Sequence, residues 1–487
     1  MSHSSPGSRK TLGPVIAYLS PAPCCDTPRS PRTHRLTLIL FAILCCTAIY
    51  VGLHERYIPD NADDGWTTSY AYNYFKRGRS DDVVFGSLGG GLSLFGYTYA
   101  FAQNYFLDAF GWTRSNAILL STVFLLCSLP VWWATGRHFG LSRASSLCLC
   151  ATLPLWEPLF RAANTARPDA FCFTLSSFAL LLALKKRFVL AGLAAGVALE
   201  IHQMGMLAIM YVTISATAEL IRICRQKENA RLRAAALLCL RLGFGLGLGL
   251  GYYLYFHIDA LQLGPRVVLA RAAWGGHYFF DYFFITKTYR HLPELGLILL
   301  GLYLFVKTQR KKHTAELLAY AGAALFFGFA MPRSNFYYAL YLYVWCVVLW
   351  AVMLNKRDMT CWLLVVCLCL MLPQYAYMYY RDRYFSNTSY IAALKSYVKP
   401  QSVPIVGNGI DWFAFMDQEF YAHSYGKLLE EKRPFLYIQR KNASAACFFG
   451  ADDPSLKSLS KLAGITKEKD FVIYRWSFSL YRIIPTP

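Results

Sequence analysis

The sequence predicts an all-α polytopic membrane protein of about eleven transmembrane helices, followed by a small C-terminal α/β domain outside the cytoplasm. Of its 487 residues, 56% are hydrophobic and only 16% are charged, whereas soluble domains are slightly under half apolar and about a quarter charged. The apolar residues gather into long runs, and the charged residues form short clusters between them. These observations indicate a chain that crosses a bilayer repeatedly.

The net charge of +21 would suit a nucleic-acid-binding protein, but its distribution does not. The basic residues are divided among the connections between apolar runs and follow no continuous face. The fifteen cysteines lie mostly within apolar runs, and no Cys–His group has the spacing of a zinc site. The composition therefore predicts a membrane environment, no nucleic-acid partner and no structural metal.

Residues 1–35 are rich in Ser, Pro and Arg, and we expect them to be disordered and cytoplasmic. The transmembrane part follows as residues 36–380. Its candidate spans are Leu36–Leu53, Ala117–Thr135, Leu141–Phe160, Ala170–Leu184, Val189–Ile201, Met204–Ile221, Leu232–Phe256, Leu295–Val306, Leu317–Ala330, Tyr337–Leu354 and Trp362–Tyr379. The segments beside His202 are short, so they form either two spans or one re-entrant hairpin.

Basic clusters orient the protein, because Lys and Arg remain on the cytoplasmic side of a membrane. With a cytoplasmic N-terminus, nearly all of them fall on that side: Arg137 and Arg143, Lys185–Arg187, Arg222–Arg233, Lys307–Lys312, and Lys356 with Arg357. The extracytoplasmic side then receives the first loop (54–115), the loop His257–Glu294 and the tail (381–487).

The tail mixes β-like runs with helical stretches, which is typical of a small α/β domain. The β-like runs are Val403–Val406, Phe435–Ile438 and Phe471–Tyr474, and the helical stretches are Ser389–Val398 and Ser455–Ala463. One apolar span carries alternating glycines that superficially resemble a phosphate-binding loop. Their spacing of four, at Gly243, Gly247 and Gly251, is instead typical of close helix packing in membranes.

Acidic residues concentrate where the chain leaves the first span. Asp63 and Asp64 precede Trp66, Tyr70 and Tyr74, which are four apart and predict one face of an amphipathic helix at the membrane interface. The two carboxylates would benefit from the helix dipole. The alternative is that one Asp is an ordinary N-cap and the others are solvated loop residues.

A further acid, Asp169, follows Arg167-Pro168 and opens the next span from its outer end. An ionisable residue at the end of a membrane span is energetically costly, so it is a candidate functional residue. Asp169 could equally have a structural role, either as the N-cap of the span or in a local ion pair with Arg167. Two acids that reach one cavity from different loops would supply a general base and a residue that orients it.

Cationic side chains share the same predicted side. His202 lies at an outward turn, Arg271 and His277 lie in the loop after the Gly-rich span, and Arg333 immediately precedes a later span. Such cations suit a lipid phosphate at the bilayer border. For each cation taken alone, a role as an anchor at the membrane interface is favoured over a role as a phosphate ligand by about two to one.

These motifs resemble the C-type integral membrane glycosyltransferases, which include the protein O-mannosyltransferases and the aminoarabinose transferase of lipid A. The match comprises Asp63-Asp64 through Tyr70-Ala71 to Gly78, the Arg167-Pro168-Asp169 motif, the His202 turn, and Arg333 with Tyr337 and Tyr338. It covers about residues 36–355, and Asp64 stands where the family usually has Glu.

The resemblance implies an inverting transfer of a sugar from a polyprenyl-phosphate donor to a hydroxyl of a lipid, glycan or protein. It implies that Asp63, Asp64 and Asp169 are catalytic, with Asp63 as the base. Arg167, His202, Arg271, His277 and Arg333 would bind the donor phosphate, and Trp66, Tyr70, Tyr337 and Tyr338 would face acceptor or lipid. No cofactor is required, although the acid pair could bind a divalent cation weakly.

A transporter or flippase of a lipid-linked or anionic substrate is the main alternative, which predicts internal repeats and acids at mid-membrane. A scaffold protein gives no reason for the acidic first loop, and that early loop also argues against a polysaccharide ligase or polymerase. The short loops favour a bacterial plasma membrane. Two sequons, at Asn387 and Asn442, identify no compartment, and the donor sugar, acceptor and oligomeric state stay open.

Overall fold

The computed structural model describes residues 63–78, 96–225, 231–272, 313–330, 340–354, 359–399, 402–422, 425–440 and 459–486. The predicted segment 1–35 and the spans Leu36–Leu53 and Leu295–Val306 lie outside these ranges, apart from positions 40, 41, 44 and 303.

Helices make up the larger part of the described chain. They are α1 (Asp63–Arg77), α2 (Tyr97–Phe110), α3 (Arg114–His138), α4 (Arg143–Thr152), α5 (Glu157–Ala163), α6 (Asp169–Leu184), α7 (Phe188–Ile201), α8 (Met206–Cys224), α9 (Arg231–Ala272), α10 (Thr314–Ala330), α11 (Leu340–Met353) and α12 (Met359–Arg381).

Three of the described helical segments are long and apolar enough to cross a membrane: Arg114–His138, Gln203–Cys224 and Arg231–Ile258. Four shorter apolar helices accompany them: Asp169–Leu184, Phe188–Ile201, Ala315–Phe326 and Leu340–Met353. Large aromatic and aliphatic side chains pack between the helices in one core, as where Trp132 meets Trp345 at 5.5 Å between ring centroids. The mostly helical fold class is confirmed for the described residues, and the total of about eleven spans stays a prediction.

The predicted continuous span Leu141–Phe160 is wrong, because the chain breaks in its middle. Helix α4 ends at Thr152, a 3₁₀ turn covers Leu153–Leu155, and α5 begins at Glu157. Pro154 and Pro158 lie in the first turns of the 3₁₀ segment and of α5, where a residue without an N–H costs no hydrogen bond of the helix, so they favour new helix starts at these points.

The predicted loop from His257 is also wrong at its start. Helix α9 continues to Ala272, with a kink at His257, where φ is −121° and ψ is 19°. The kinked residue brings its Nε2 to 3.5 Å from Oε1 of Glu200 at the end of α7. Hydropathy alone did not reveal that a polar segment continues the helix.

The glycines of α9 do pack closely, but through the other set. A Cβ on Gly245 or Gly249 would lie 2.5 Å from a backbone atom of α7, whereas a Cβ on Gly243, Gly247 or Gly251 meets no atom of the described residues within 4 Å. The prediction that Gly243, Gly247 and Gly251 form the packing face is therefore wrong for the contact between α9 and α7. An alternating run carries two faces with the same spacing of four, and the sequence did not distinguish them.

The tail forms a five-stranded mixed sheet in the order β2-β1-β3-β5-β4. The strands are β1 (Ile405–Gly407), β2 (Phe420–Ala422), β3 (Phe435–Arg440), β4 (Ala463–Ile473) and β5 (Trp476–Pro485), with helices α13 (Asn387–Tyr397) and α14 (Gly426–Glu430). Strand β1 is parallel to β2 and β3, and β5 is antiparallel to β3 and β4. The three predicted strands and the first predicted helix are confirmed, whereas β4 begins at Ala463, where the second predicted helix was to end.

The tail does not stand apart from the helical part. A shared apolar cluster joins Leu107 of α2 and Ile118 of α3 to Phe385, Trp412 and Phe478 of the tail. The first-loop helices and the tail therefore pack as one body above the starts of α3 and α6.

Ion pairs lie at both ends of the helix bundle. Asp64 meets Arg114 where α3 begins, and Arg167 meets Asp169 where α6 begins. At the opposite ends, Lys186 pairs with Glu219 at 2.9 Å. The acids of the first loop thus lie opposite the predicted cytoplasmic basic clusters, and which end faces the cytoplasm stays a prediction.

Candidate active site

Helix α1 carries both acids of the first loop in its first turn. It begins at Asp63, followed by Asp64, where the helix dipole favours carboxylates. Thr67 Oγ1 donates to the main-chain carbonyl of Asp63 at 3.0 Å and also contacts the carbonyl oxygen of Ala166. The first turn of α1 is thereby fastened to the segment that precedes α6.

Asp64 is held by Arg114, the first residue of α3. Its Oδ2 accepts hydrogen bonds from Arg114 Nε at 2.9 Å and Nη2 at 2.8 Å, and its Oδ1 accepts from the Ala166 N–H at 2.8 Å. Burial raises the pKa of Asp64 above its ordinary value, while the Arg114 guanidinium and the Ala166 N–H oppose that rise. A carboxylate with both oxygens occupied in this way is suited to anchoring α1.

Arg167 bridges the other two acids. Its Nη1 contacts Asp63 Oδ2, and its Nε donates to Asp169 Oδ2 at 2.6 Å. The local Arg167–Asp169 pair, one of the alternatives that the sequence left open, is therefore present. Because the same guanidinium also reaches Asp63, the pair joins the acid of α6 to the acid of α1, which are distant in sequence.

Exposure separates the three acids. Asp63 is 7% exposed, whereas Asp64 and Asp169 are 0% exposed. Of these three carboxylates, only that of Asp63 reaches solvent, so it is the one that a substrate could meet without rearrangement.

His202 lies at the end of α7, beside Asp169. It begins a 3₁₀ turn in which its Nδ1 accepts the Met204 N–H at 3.2 Å, which leaves the ring proton of the neutral tautomer on Nε2. Asp169 interacts electrostatically with this ring. Helices α6, α7 and α8 therefore meet at the acidic site.

A polar layer between the helices supports the acids. The Tyr99 hydroxyl lies beside Ser121 and accepts from Gln103 Nε2 at 3.3 Å, and the same Gln103 nitrogen donates to Thr68 at 3.4 Å. Ser121 Oγ in turn donates to the main-chain carbonyl of Arg167 at 3.3 Å. Helices α1, α2 and α3 are thus linked directly beneath the carboxylates.

The predicted helix through the first-loop aromatics is confirmed, but its aromatic face is largely enclosed. Trp66 Nε1 donates to the Tyr70 hydroxyl at 2.9 Å, and Tyr70 is buried against Ala71 and Ala100. The predicted contact of Trp66 and Tyr70 with acceptor or lipid stays a prediction.

Five of the remaining predicted site residues cannot be placed as side chains. The backbone of Arg271 lies in α9, and the described side chains of that helix end at residue 258. His277, Arg333, Tyr337 and Tyr338 lie outside the described residues. Their predicted contacts with the donor phosphate and the acceptor stay predictions.

Sequence reasoning missed Arg114 and Glu200. Arg114 stands on the predicted outer side at the mouth of a span, so it departs from the positive-inside pattern, and that departure was an available signal. Glu200 accepts the Tyr97 N–H at 2.5 Å and the Thr98 N–H at 3.2 Å, so it binds the N-terminal end of α2. No local sequence pattern predicts that contact, because it joins residues about a hundred positions apart.

Comparison with known proteins gives a structural match and no sequence match. No family model matches the chain, and no curated protein matches it. The crystal structure of ArnT from Cupriavidus metallidurans in the apo state is similar with a TM-score of 0.61 and 12% identity, over 91% of this chain and 97% of that one. The same enzyme bound to undecaprenyl phosphate is similar with a TM-score of 0.58 and 14% identity, over the same shares of both chains.

At these identities the similarity concerns the fold. It extends over the helical part and the tail together, because nearly the whole of both chains is covered. The chain therefore has the fold of ArnT, which confirms the fold expected from its resemblance to the C-type membrane glycosyltransferases.

Proposed function

We propose that this protein is a membrane glycosyltransferase that moves a sugar from a polyprenyl-phosphate donor to a hydroxyl acceptor on the extracytoplasmic face. The observation that carries the proposal is the cluster of Asp63, Asp64 and Asp169 with Arg114 and Arg167 at one end of the apolar helices. Burying several charged side chains at the end of membrane-spanning helices costs free energy, so such a cluster is a candidate functional site. Its position at the helix ends favours a transferase over a transporter, whose acids are expected at mid-membrane.

A lipid-linked donor is supported by the setting of the cluster. ArnT, whose fold this chain shares, has been crystallised bound to undecaprenyl phosphate. A donor of that class keeps its prenyl chain in lipid and brings its phosphate and sugar to the membrane border, where the acids of the first loop lie. Soluble nucleotide sugars would require no such border position.

The proposed reaction is a single inverting displacement. The acceptor hydroxyl oxygen forms a bond with the anomeric carbon from the face opposite the phosphate, and its proton passes to the Asp63 carboxylate. The bond between the anomeric carbon and the phosphate oxygen breaks, and the phosphate leaves with the electron pair. General-base assistance of this type contributes roughly 10²–10⁴-fold to a rate.

Arg167 would orient the base. Because its guanidinium contacts both Asp63 and Asp169, it restricts the Asp63 carboxylate to one direction. Charge-assisted contacts are the strong class of hydrogen bond, which suits this role. Arg167, His202, Arg271, His277 and Arg333 stay the candidates for stabilising the charge of the leaving phosphate.

No step of this reaction uses a metal ion. Asp63, Asp64 and Asp169 each contact a guanidinium group, which supplies positive charge beside these carboxylates. The Asp169 Oδ1 atom has no hydrogen-bond partner in the described part of the chain, and a weakly bound divalent cation at the acids stays a prediction. Within the described residues, no group of three or more His, Cys, Asp or Glu side chains could hold a metal.

The direct test is transfer by the purified protein. Full-length protein in lipid vesicles would be incubated with a panel of radiolabelled polyprenyl-phosphate sugars and a membrane extract that supplies acceptors. We expect label from at least one donor to enter a product, and we expect D63N to form product about 10²–10⁴-fold more slowly.

Two results would overturn the proposal. One is that folded wild-type protein transfers label from no member of the panel. The other is that it carries intact labelled donor from one leaflet to the other without breaking the sugar–phosphate bond, which would identify a flippase.

A further inference from the structure

The guanidinium of Arg114 is shared between the active site and the tail. Its Nε and Nη2 donate to Asp64 at 2.9 Å and 2.8 Å, and its Nη1 donates to the side-chain oxygen of Asn387. All three side chains are buried. Each nitrogen of the Arg114 guanidinium therefore has an assigned partner, and the partner of Nη1 comes from the tail.

The start of α13 directs Asn387 towards this contact. Ser386 is the N-cap of the helix and accepts the Ser389 N–H at 3.3 Å, so Asn387 is not needed for capping. Phe385 and Tyr390, both buried in the core that the tail shares with α2 and α3, fix the first turn from either side. The asparagine is thereby held within a rigid, packed element.

The tail also touches α1 directly. A Cβ on Gly65 would lie 1.7 Å from the carbonyl oxygen of Gly409, so the two backbones are in close contact. Tyr72 donates to Asp417 at 2.5 Å, and Arg77 contacts the main-chain oxygen of Met416. One face of α1 thus rests on the segment 409–418, next to the turn that carries the acids.

From these contacts we infer that Asn387 is a positioning residue, through which the tail fixes Arg114 and hence the acidic turn of α1. The inference rests on the proposed function, because it assigns the tail a part in the reaction that Asp63 performs. A guanidinium without the Asn387 contact could rotate and pull Asp64 with it. A displacement of about 1 Å at a reacting group can cost about 10²-fold in rate.

This arrangement also explains the sequon at Asn387. The pattern Asn387-Thr388-Ser389 satisfies the glycosylation rule, yet its asparagine is buried and serves as an acceptor for Arg114. A glycan on Asn387 could not occupy that position. The exposed Ser389 supplies a matched control, because its replacement removes the sequon and leaves Asn387 in place.

The test compares N387A, N387D and S389A in the full-length protein. We expect S389A to behave as the wild type and N387A to reduce kcat about tenfold to hundredfold, with little change in KM for the donor. In N387D a second carboxylate competes with Asp64 for Arg114, so Asp64 should take up a proton at higher pH than in the wild type. Because protonation of Asp64 loosens the anchor of α1 that holds the base Asp63, the acid limb of the pH profile of kcat should move to higher pH. The groups that face Asp64 in this titration are Arg114, Asp63, Tyr99 and the Ala166 N–H.

A plain structural role would give a different result. If N387A and N387D lower kcat equally and the acid limb of N387D stays where it is in the wild type, the positioning role is overturned. Unchanged kcat in N387A overturns it too.

A second measurement separates this inference from the proposed function. The thermal midpoints of N387A, D64N and the double variant should be non-additive, because both side chains bind the same guanidinium. Additive midpoints refute the Asn387 contact whatever reaction the protein catalyses. If the midpoints are non-additive but the folded wild type transfers no sugar, the Asn387 contact is supported and the proposed function is refuted, together with the positioning role of Asn387 in transfer.

Discussion

Arg114 binds the carboxylate of Asp64 through two nitrogens, at 2.9 Å and 2.8 Å, and so ties the start of α3 to the first turn of α1. Both side chains are removed from solvent. The helix that carries the proposed base is therefore fixed by a buried ion pair, and the properties of that pair lead to the first prediction.

Replacement of Arg114 by Met should destabilise the protein strongly. It leaves Asp64 buried without its cation, which costs about 3–5 kcal/mol. The R114M/D64N variant should recover part of the loss, because no unpaired charge stays buried. Thermal midpoints in one detergent measure both effects.

Arg222 offers the matched control. It pairs with Glu219 at 2.6 Å, but its side chain is 57% exposed, and exposed pairs contribute about 0–1 kcal/mol. R222M should therefore leave the midpoint nearly unchanged. Equal losses in R114M and R222M would contradict the buried pairing.

Gly65 should tolerate no side chain. Because a Cβ there would collide with the Gly409 backbone, G65A must push α1 away from the tail, and turnover should fall by about tenfold or more. Gly426, which has nothing within 4 Å, is the control, and G426A should keep full turnover. Wild-type activity in G65A would show that the contact between α1 and the tail is dispensable.

The two glycine faces of α9 should respond differently. A Cβ on Gly249 would lie 2.5 Å from the Gly192 carbonyl oxygen, whereas one on Gly247 meets no atom within 4 Å in the part of the chain that the structure describes. We expect G249A to lower the thermal midpoint and G247A to keep or raise it, since alanine favours helix by about 0.5–1 kcal/mol over glycine. If G247A has the lower thermal midpoint of the two, the close contact with α7 lies on the Gly247 face of α9 instead.

Tyr72 should contribute a stability that disappears in alkali. Burial, together with its hydrogen bond to Asp417, raises the pKa of Tyr72 from 10.0 to about 12. A folded-state pKa above the unfolded value means that the contribution is complete below about pH 10 and is lost as the pH rises through about 12. Y72F should therefore have a lower thermal midpoint than the wild type at pH 8, with a difference that shrinks above pH 10.

The exposed Tyr105 serves as the control for this titration. Y105F should match the wild type across the same range of pH. If the difference between Y72F and the wild type is constant from pH 8 to pH 11.5, the hydrogen bond to Asp417 does not set the titration of Tyr72.

Much of the helical part could be predicted, because a spanning helix is recorded locally as a run of apolar residues. The bounds of α3, α6 and α8 follow such runs closely. The acids of the site could also be predicted, because carboxylates are rare beside membrane spans and each one there is a candidate functional residue.

What the sequence left hidden lies in contacts between distant residues. Arg114 and Asn387 meet across 273 positions, and no local pattern links a residue at the mouth of a span to one in the tail. Strands β2 and β5 were missed as well, since β2 has only three residues and β5 alternates too irregularly to stand out. The choice between the two glycine faces of α9 also depended on which neighbour the helix packs against.

The central claim is that Asp63 accepts the proton of the acceptor hydroxyl, and the kinetics of D63N test it most directly. With wild-type insertion and thermal midpoint as the control for folding, we predict that D63N binds the polyprenyl-phosphate donor normally and that its kcat falls by about 10²–10⁴-fold. A D63N protein that transfers sugar at the wild-type rate would contradict the account.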